Sequence, residues 1–336
     1  MAGVDLKRYV FDWDLTFATL FMNADGHIYH QYGNRDETDP LSHVSMKSLA
    51  AVMRRTAKDH AALDPAKARL PKSPPFTVEN IPPMARRARK GELKGCIHCH
   101  SVNDALNEDA VEKGTWKRET IWAWPPSSRV GMRLDRDDQS LVTEVKTGTA
   151  AAAAGLRKGD RLVSFAGRPV ATEGDVQWGL EETPHAGGSV QLTYARGDAE
   201  PKKATLRLKK GWREGTPEGL AYRNSVWKIG PRPGFGGQVL TPDELQKAKV
   251  PKGAFGLRIG YLVTWGKHKI GGQAARKAGL QKGDICLSFD GKADFKNERE
   301  WHAWYRLTLK TGKTVVIKTL RDGKERTVKL KVGSAD

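Results

Sequence analysis

No run of eighteen apolar residues occurs in this 336-residue chain, so none of it reads as a membrane-spanning helix. Cysteine is scarce, and three residues cannot build a multi-bridge disulfide framework. The opening MAGVDLKRYVFDWD has no apolar core of the signal-peptide kind. Also missing are the Gly-x-Ser-x-Gly elbow, a Gly-Asn-Ser-Gly-Gly serine, the phosphate loop and the dinucleotide glycine pattern. Ser189, in HAGGSVQ, starts a predicted strand and makes a poor nucleophile. These absences leave no sequence case for a hydrolase or a nucleotide-dependent enzyme, and favour binding or electron transfer.

Acidic residues are outnumbered, 39 against 57 Lys and Arg, for a formal charge of +18. That balance suits acidic proteins or an anionic envelope surface, although scattered cations also serve as plain solubilising surface. Nucleic acid is disfavoured, because neither a basic-aromatic stripe nor a helix-turn-helix accompanies the charge. The densest basic cluster is Arg86, Arg87, Arg89, Lys90 and Lys94.

The length predicts two or three domains, and an internal repeat supplies two of them. AAAAAGLRKGDRLVSFAGRPV, ending at Val170, parallels GQAARKAGLQKGDICLSFDGKAD, ending at Asp294. Gly155, Gly159 and Gly167 correspond to Gly279, Gly283 and Gly291. Upstream, VGMRL (130–134) parallels FGLRI (255–259). Each copy predicts a short helix capped at Ala-Gly-Leu, a Gly-Asp turn, an alternating strand, a second helix and a closing hairpin. Cys286, among alternating apolar residues, is expected in a buried strand.

This pattern resembles the bacterial PDZ domain, as carried by high-temperature-requirement proteases, over 128–212 and 253–336. The resemblance implies a loop whose N–H groups hold a peptide's terminal carboxylate and a sheet edge to which the peptide adds as a strand. By matching position those loops are Val130, Gly131, Met132, Arg133 and Leu134 in one copy and Phe255, Gly256, Leu257, Arg258 and Ile259 in the other. The groove helices would present Val176 and Leu180, and Trp301 and Trp304. The implied partners are protein C-termini or extended peptides. Between the copies, 213–252 reads as a Gly- and Pro-rich linker or insertion, with one helix at 242–249 capped by Thr241 and Glu244.

Near the start, FDWDLTFATLFMNADGHIYHQYGNRD predicts two strands about an Asp25-Gly26 turn, and SMKSLAAVMRRTAKDHAAL an amphipathic helix. Over 1–62 this resembles the C-terminal half of a thioredoxin-like domain, with Leu15 where that family places a proline before Thr. Half such a fold leaves a sheet with a bare face, so the chain is expected to begin inside a longer protein. Residues 63–95, with Pro65, Pro71, Pro74, Pro75, Pro82 and Pro83, read as a linker without regular structure.

KGCIHCHSVND (94–104) carries the most specific motif. Cys-x-x-Cys-His is the attachment signature of c-type haem: Cys96 and Cys99 would take the vinyl groups, and His100 would be the axial ligand of the iron. The segment 96–127 resembles the N-terminal helix of a cytochrome c, with Trp116, Ile121, Trp122 and Trp124 offered as cover for the ring. A sixth ligand could come from Met84, His98 or His60, while Met132 is expected in a core. A redox dithiol or a zinc site built on the same cysteines are the rival chemistries. Covalent haem c implies a periplasmic or secreted protein. The expected fold class is therefore α+β multidomain: a partial thioredoxin-like segment, a short helical haem-binding segment and two PDZ-like β-sandwich or barrel modules. Its expected role is redox, sensing or scaffolding beside bound peptides. A thiol–disulfide oxidoreductase and a non-catalytic scaffold are the alternatives.

Overall fold

The structure, a computed structural model, describes residues 1–37, 39–64, 74–93, 97–250, 255–266 and 269–333. It divides into two compact units, Met1–Gly215 and Thr216–Asp336. The architecture is mixed α/β with antiparallel sheets throughout. Among the described residues no helix is long and apolar enough to cross a membrane.

The first unit opens with an antiparallel hairpin, β1 (Thr19–Met22) and β2 (Ile28–Tyr32), joined across Asp25-Gly26. Gly26 takes a φ of +80°, which explains the glycine at that turn. α1 (Met46–Ala61) starts at a capping box between Ser45 and Ser48. Hairpin and helix lie where the sequence predicts them. Pro82 and Pro83 then open α2 (Pro82–Arg89). The stretch expected to lack regular structure thus holds a helix, because a missing N–H costs nothing in a helix's first turn. α3 (Cys99–Glu112) follows. α2 and α3 close a small apolar cluster of Val78, Ile81, Met84, Val102 and Ala105 with Leu6 from the chain's start. Arg86 and Arg87 pair with Glu108 and Glu112 of α3, so part of the basic cluster is neutralised within the fold.

The first repeat comprises β3 (Met132–Leu134), β4 (Val142–Val145), α4 (Ala150–Ala153), β5 (Asp160–Phe165), β6 (Arg168–Pro169), α5 (Glu173–Glu181), β7 (Gly188–Arg196) and β8 (Lys202–Leu208). β3 pairs with β4, and a second sheet runs β6-β5-β7-β8. A bridge from Leu141 to Arg161 joins the two. β2 packs between α1 and α5.

The second unit holds β9 (Phe235–Val239), α6 (Pro242–Lys247), β10 (Leu257–Leu262), α7 (Lys269–Lys277), β11 (Ile285–Phe289), α8 (Glu298–Thr308), β12 (Thr314–Arg321) and β13 (Lys324–Lys331). These strands form one sheet in the order β13-β12-β11-β10-β9. α6 carries the Thr241–Glu244 capping box its sequence announces. β9 is a departure: a stretch read as linker supplies an edge strand, because the glycines of PGFGGQV resemble a loop. Cys286 is buried in β11 as expected, and burial pushes its thiol pKa strongly up.

Both copies share an ion-pair clamp that the sequence conceals. Asp160 is fully buried and takes Arg196 Nε and Nη2 at 2.7 and 2.9 Å, and Asp284 takes Arg321 at 2.6 and 2.7 Å. Each arginine also caps a helix end, at the carbonyl of Gly155 or Gly279. The Gly-Asp of each repeat thus does more than turn the chain: its carboxylate ties the helix end to the closing hairpin.

Candidate functional site

Hydrogen-bond register identifies equivalent strands in the two repeats. The Gly159 N–H donates to the Val142 carbonyl and the Gly283 N–H to the Ile259 carbonyl, each at 2.8 Å. Farther along, Lys146 N–H donates to Gly131 O at 2.8 Å and Val263 N–H to Gly234 O at 2.6 Å. β10 therefore corresponds to β4, and β9 corresponds to β3. Gly131 and Gly234 have φ of +87° and +69°. A Cβ on Gly131 would lie 2.1 Å from Thr149 Oγ1, and one on Gly234 would lie 1.9 Å from the Gly272 amide nitrogen. Only glycine fits either loop.

This register corrects the second loop. Phe255, Gly256, Leu257, Arg258 and Ile259 lead into β10, which is bonded to β11 on one side and β9 on the other. Such a strand has no edge to offer where both neighbours pair. The equivalent of Val130–Leu134 is instead 233–237, Pro-Gly-Phe-Gly-Gly. The signal that finds it is Arg129-Val-Gly-Met against Arg232-Pro-Gly-Phe. The insertion 240–256, between β9 and β10, displaces that match from the spacing of the later glycines.

The expected groove side chains lie in the cores. Val176 and Leu180 are fully buried with Val130, Met132 and Leu134 in the first repeat, and Arg133 alone of that loop strand is exposed. Trp301 and Trp304 pack with Phe235, Phe289 and Phe295 in the second. What borders each loop is polar. In the second repeat Arg306 of α8 sits beside Arg232 and donates to the Ile229 carbonyl at 3.2 Å. Its Nε is buried without a hydrogen-bond partner among the described residues. Burial and then the Arg232 charge pull the Arg306 pKa down to about 10. Burial lowers Arg232 as well. At the outer edge of β9, Glu298 accepts the Gly237 N–H at 2.9 Å, and the hydrogen bond and charge of His302 outweigh burial to hold Glu298 below its usual range.

In the first repeat the corresponding space is taken by the chain itself. Asn34 donates to Gln177 of α5 at 2.7 Å, Gln177 donates to the Arg35 carbonyl at 3.2 Å, and Glu37 pairs with Arg129. His30, fully buried, bonds Asp175 through Nδ1 at 2.8 Å and Asp59 through Nε2 at 2.9 Å. Burial lowers its pKa, but the hydrogen bonds and charges of Asp175 and Asp59 prevail and raise it.

Of the haem-motif residues, Cys96 lies outside the described residues. Cys99 is partly exposed and opens α3, and His100 follows it in the first turn. The His100 ring stacks on His98 at 5.6 Å, and its Nδ1 is buried without a hydrogen-bond partner among the described residues. A thiol and an orphaned imidazole nitrogen at one helix start, with Ile97 and Val102 in the adjoining apolar cluster, fit the donor set and apolar surface that a covalent haem needs. Met84 belongs to that cluster, whereas His60 is bonded to the Tyr29 hydroxyl at 2.6 Å. The Trp124 backbone N–H donates to Glu181 of α5 at 2.7 Å, and the Trp122 ring lies under Arg129.

The PDZ domain model matches residues 128–208 and 270–332. Two solved structures resemble the chain. One is the HtrA-type protease AlgW with a decapeptide, at 16% identity and a TM-score of 0.25 over 43% of this chain and 49% of that one. The other is a serine-to-alanine variant of AlgW with a decapeptide, at 15% identity and a TM-score of 0.28 over 57% and 54%. The chain thus spans about half the length of each. No curated protein matches it. Residues 128–208 and 270–332, which share the Asp-Arg clamp, are thus two PDZ domain segments.

Proposed function

We propose that the chain binds extended peptides or protein C-termini, and that the primary site is the loop and strand edge of the second PDZ domain. The observation that carries this is the pair Arg232 and Arg306 beside the Gly234 loop. Two guanidiniums held at depressed pKa by burial, with the Arg232 charge also acting on Arg306, are stabilised when a carboxylate arrives. A peptide would place its terminal carboxylate there and run along β9, displacing the Glu298 carboxylate from the Gly237 amide. Fluorescence polarisation with peptides bearing free or amidated C-termini tests this. Amidation should weaken binding at least tenfold, the loss of one charge-assisted hydrogen bond of about 1.5–3 kcal/mol. Arg306→Leu should do the same to the free acids. Equal affinity for acid and amide would exclude carboxylate capture.

A second reading rests on the orphaned His100 Nδ1 beside Cys99. In it Cys96 and Cys99 would hold a covalent haem and His100 would be a ligand of its iron, with Met84 of the adjoining apolar cluster as a candidate second ligand. The group would supply one-electron chemistry or gas sensing, and the protein would be matured outside the cytoplasm. The chain's own contribution is the first turn of α3, which sets Cys99 and His100 together with the His98 ring stacked on His100. A pyridine haemochrome assay after export with haem-attachment machinery should give a c-type band, abolished by Cys96→Ser with Cys99→Ser. A colourless folded protein with reactive thiols would favour the dithiol alternative.

A further inference from the structure

We infer that residues Gln31–Glu37 are an internal ligand of the first PDZ domain, and that this domain's external partner is an extended peptide with an acidic end that displaces them. The inference rests on the peptide-binding reading above and names the partner of the other domain. The strap runs in one direction along α5. Gln31 sits at the helix's N-terminal turn, where its N–H donates to Asp175 Oδ1 at 3.1 Å and its carbonyl accepts the Thr172 hydroxyl. Asn34 and Arg35 follow at Gln177, two residues beyond Asp175. Asp36 then reaches Arg133 of β3 at 3.8 Å, and Glu37 pairs with Arg129, the residue two before Gly131. A carboxylate thus ends the strap at the loop where a peptide's own terminal carboxylate would lie.

Two features fit this role rather than ordinary packing. Gly174 is helical, yet a Cβ there would lie 2.6 Å from the Gln31 carbonyl and 2.7 Å from Asn34 Oδ1, so the helix is pared down to admit the strap. β3 pairs with β4 alone among the described residues. An incoming peptide can therefore make backbone bonds along the other edge of β3 that the strap, held mainly by side chains, does not make. Competition follows from tethering. A strap at an effective concentration on the order of 1 mM, with an intrinsic Kd of about 100 μM, raises an outside ligand's apparent Kd about tenfold.

The test is fluorescence polarisation of the full chain with a labelled peptide of residues 31–37, Gln-Tyr-Gly-Asn-Arg-Asp-Glu, ending in a free carboxylate. Glu37→Lys should bind it about tenfold more tightly than the unaltered chain, with an unchanged thermal melt to guard against a merely unfolded variant. Gly174→Ala should bind it no more tightly, because the added Cβ meets the peptide's Gln31 carbonyl and Asn34 as it meets those of the strap. Adding Arg129→Ala to Glu37→Lys should cancel the gain. If Glu37→Lys and the unaltered chain bind the 31–37 peptide equally, or neither binds it while other free-carboxylate peptides bind, the internal-ligand inference is overturned and peptide binding stands. If no free-carboxylate peptide binds any of these folded proteins, both readings are overturned.

Discussion

Trp301→Ala should destabilise the second unit by about 3–5 kcal/mol, the usual cost of emptying a buried tryptophan site. The ring is fully buried against Phe235, Phe289 and Tyr305, with centroids 5.3, 5.3 and 5.9 Å away. Little of that space can collapse, because β9 and β11, on either side of β10, supply Phe235 and Phe289 from one hydrogen-bonded sheet. Trp301→Phe should recover roughly half the loss, since an aromatic ring refills most of the cavity. Thermal melts followed by tryptophan fluorescence give the values. The same variants separate core from groove. A groove residue would change peptide affinity and leave the melt nearly unmoved, whereas the core position predicts a large melting shift.

Removing His30 should be almost as costly. His30→Ala leaves the buried Asp175 and the partly exposed Asp59 facing one another without the imidazole they share, and breaking one partner out of such a set costs about 3–5 kcal/mol. Every neighbouring element takes part: Asp175 on α5 also accepts the Ala171, Thr172 and Gln31 N–H groups, and Asp59 on α1 is held by Arg55 at 2.9 Å. The pH dependence has a definite sign. His30 has a raised pKa in the folded state, so the imidazolium's stabilisation is complete below its unfolded value of 6.5 and is lost as pH climbs through the raised one. The first unit of the unaltered chain should therefore melt lower at pH 9 than at pH 6, and His30→Ala should abolish that difference. A pH-independent gap between the two proteins would show that His30 is neutral in the fold.

Much of the repeat architecture was legible because its signals are local. The glycine caps, the Gly-Asp turns, the Asp322-Gly323 hairpin and the Thr241 capping box each act within a few residues. The hairpin at Asp25-Gly26 and the helix behind it were legible for the same reason. What escaped depends on distant partners. β9 is rich in glycine, and only its pairing with β10 makes it a strand. The Asp160–Arg196 and Asp284–Arg321 clamps join residues that share no motif. Val176, Leu180, Trp301 and Trp304 are spaced as a helix face, but spacing alone does not say whether that face meets a core or a ligand, and here it meets the core. The strap at 31–37 has no sequence signature; it is held by side chains whose partners lie more than ninety residues away.

Hydrogen exchange of the whole chain, with and without a saturating free-carboxylate peptide, tests the central assignment most directly. Amides of Phe235–Val239 should gain protection as the peptide extends the sheet at β9. Those of Leu257–Leu262, already flanked by β9 and β11, should not change. New protection in 257–262 with none in 235–239 would contradict the placement of the second peptide site.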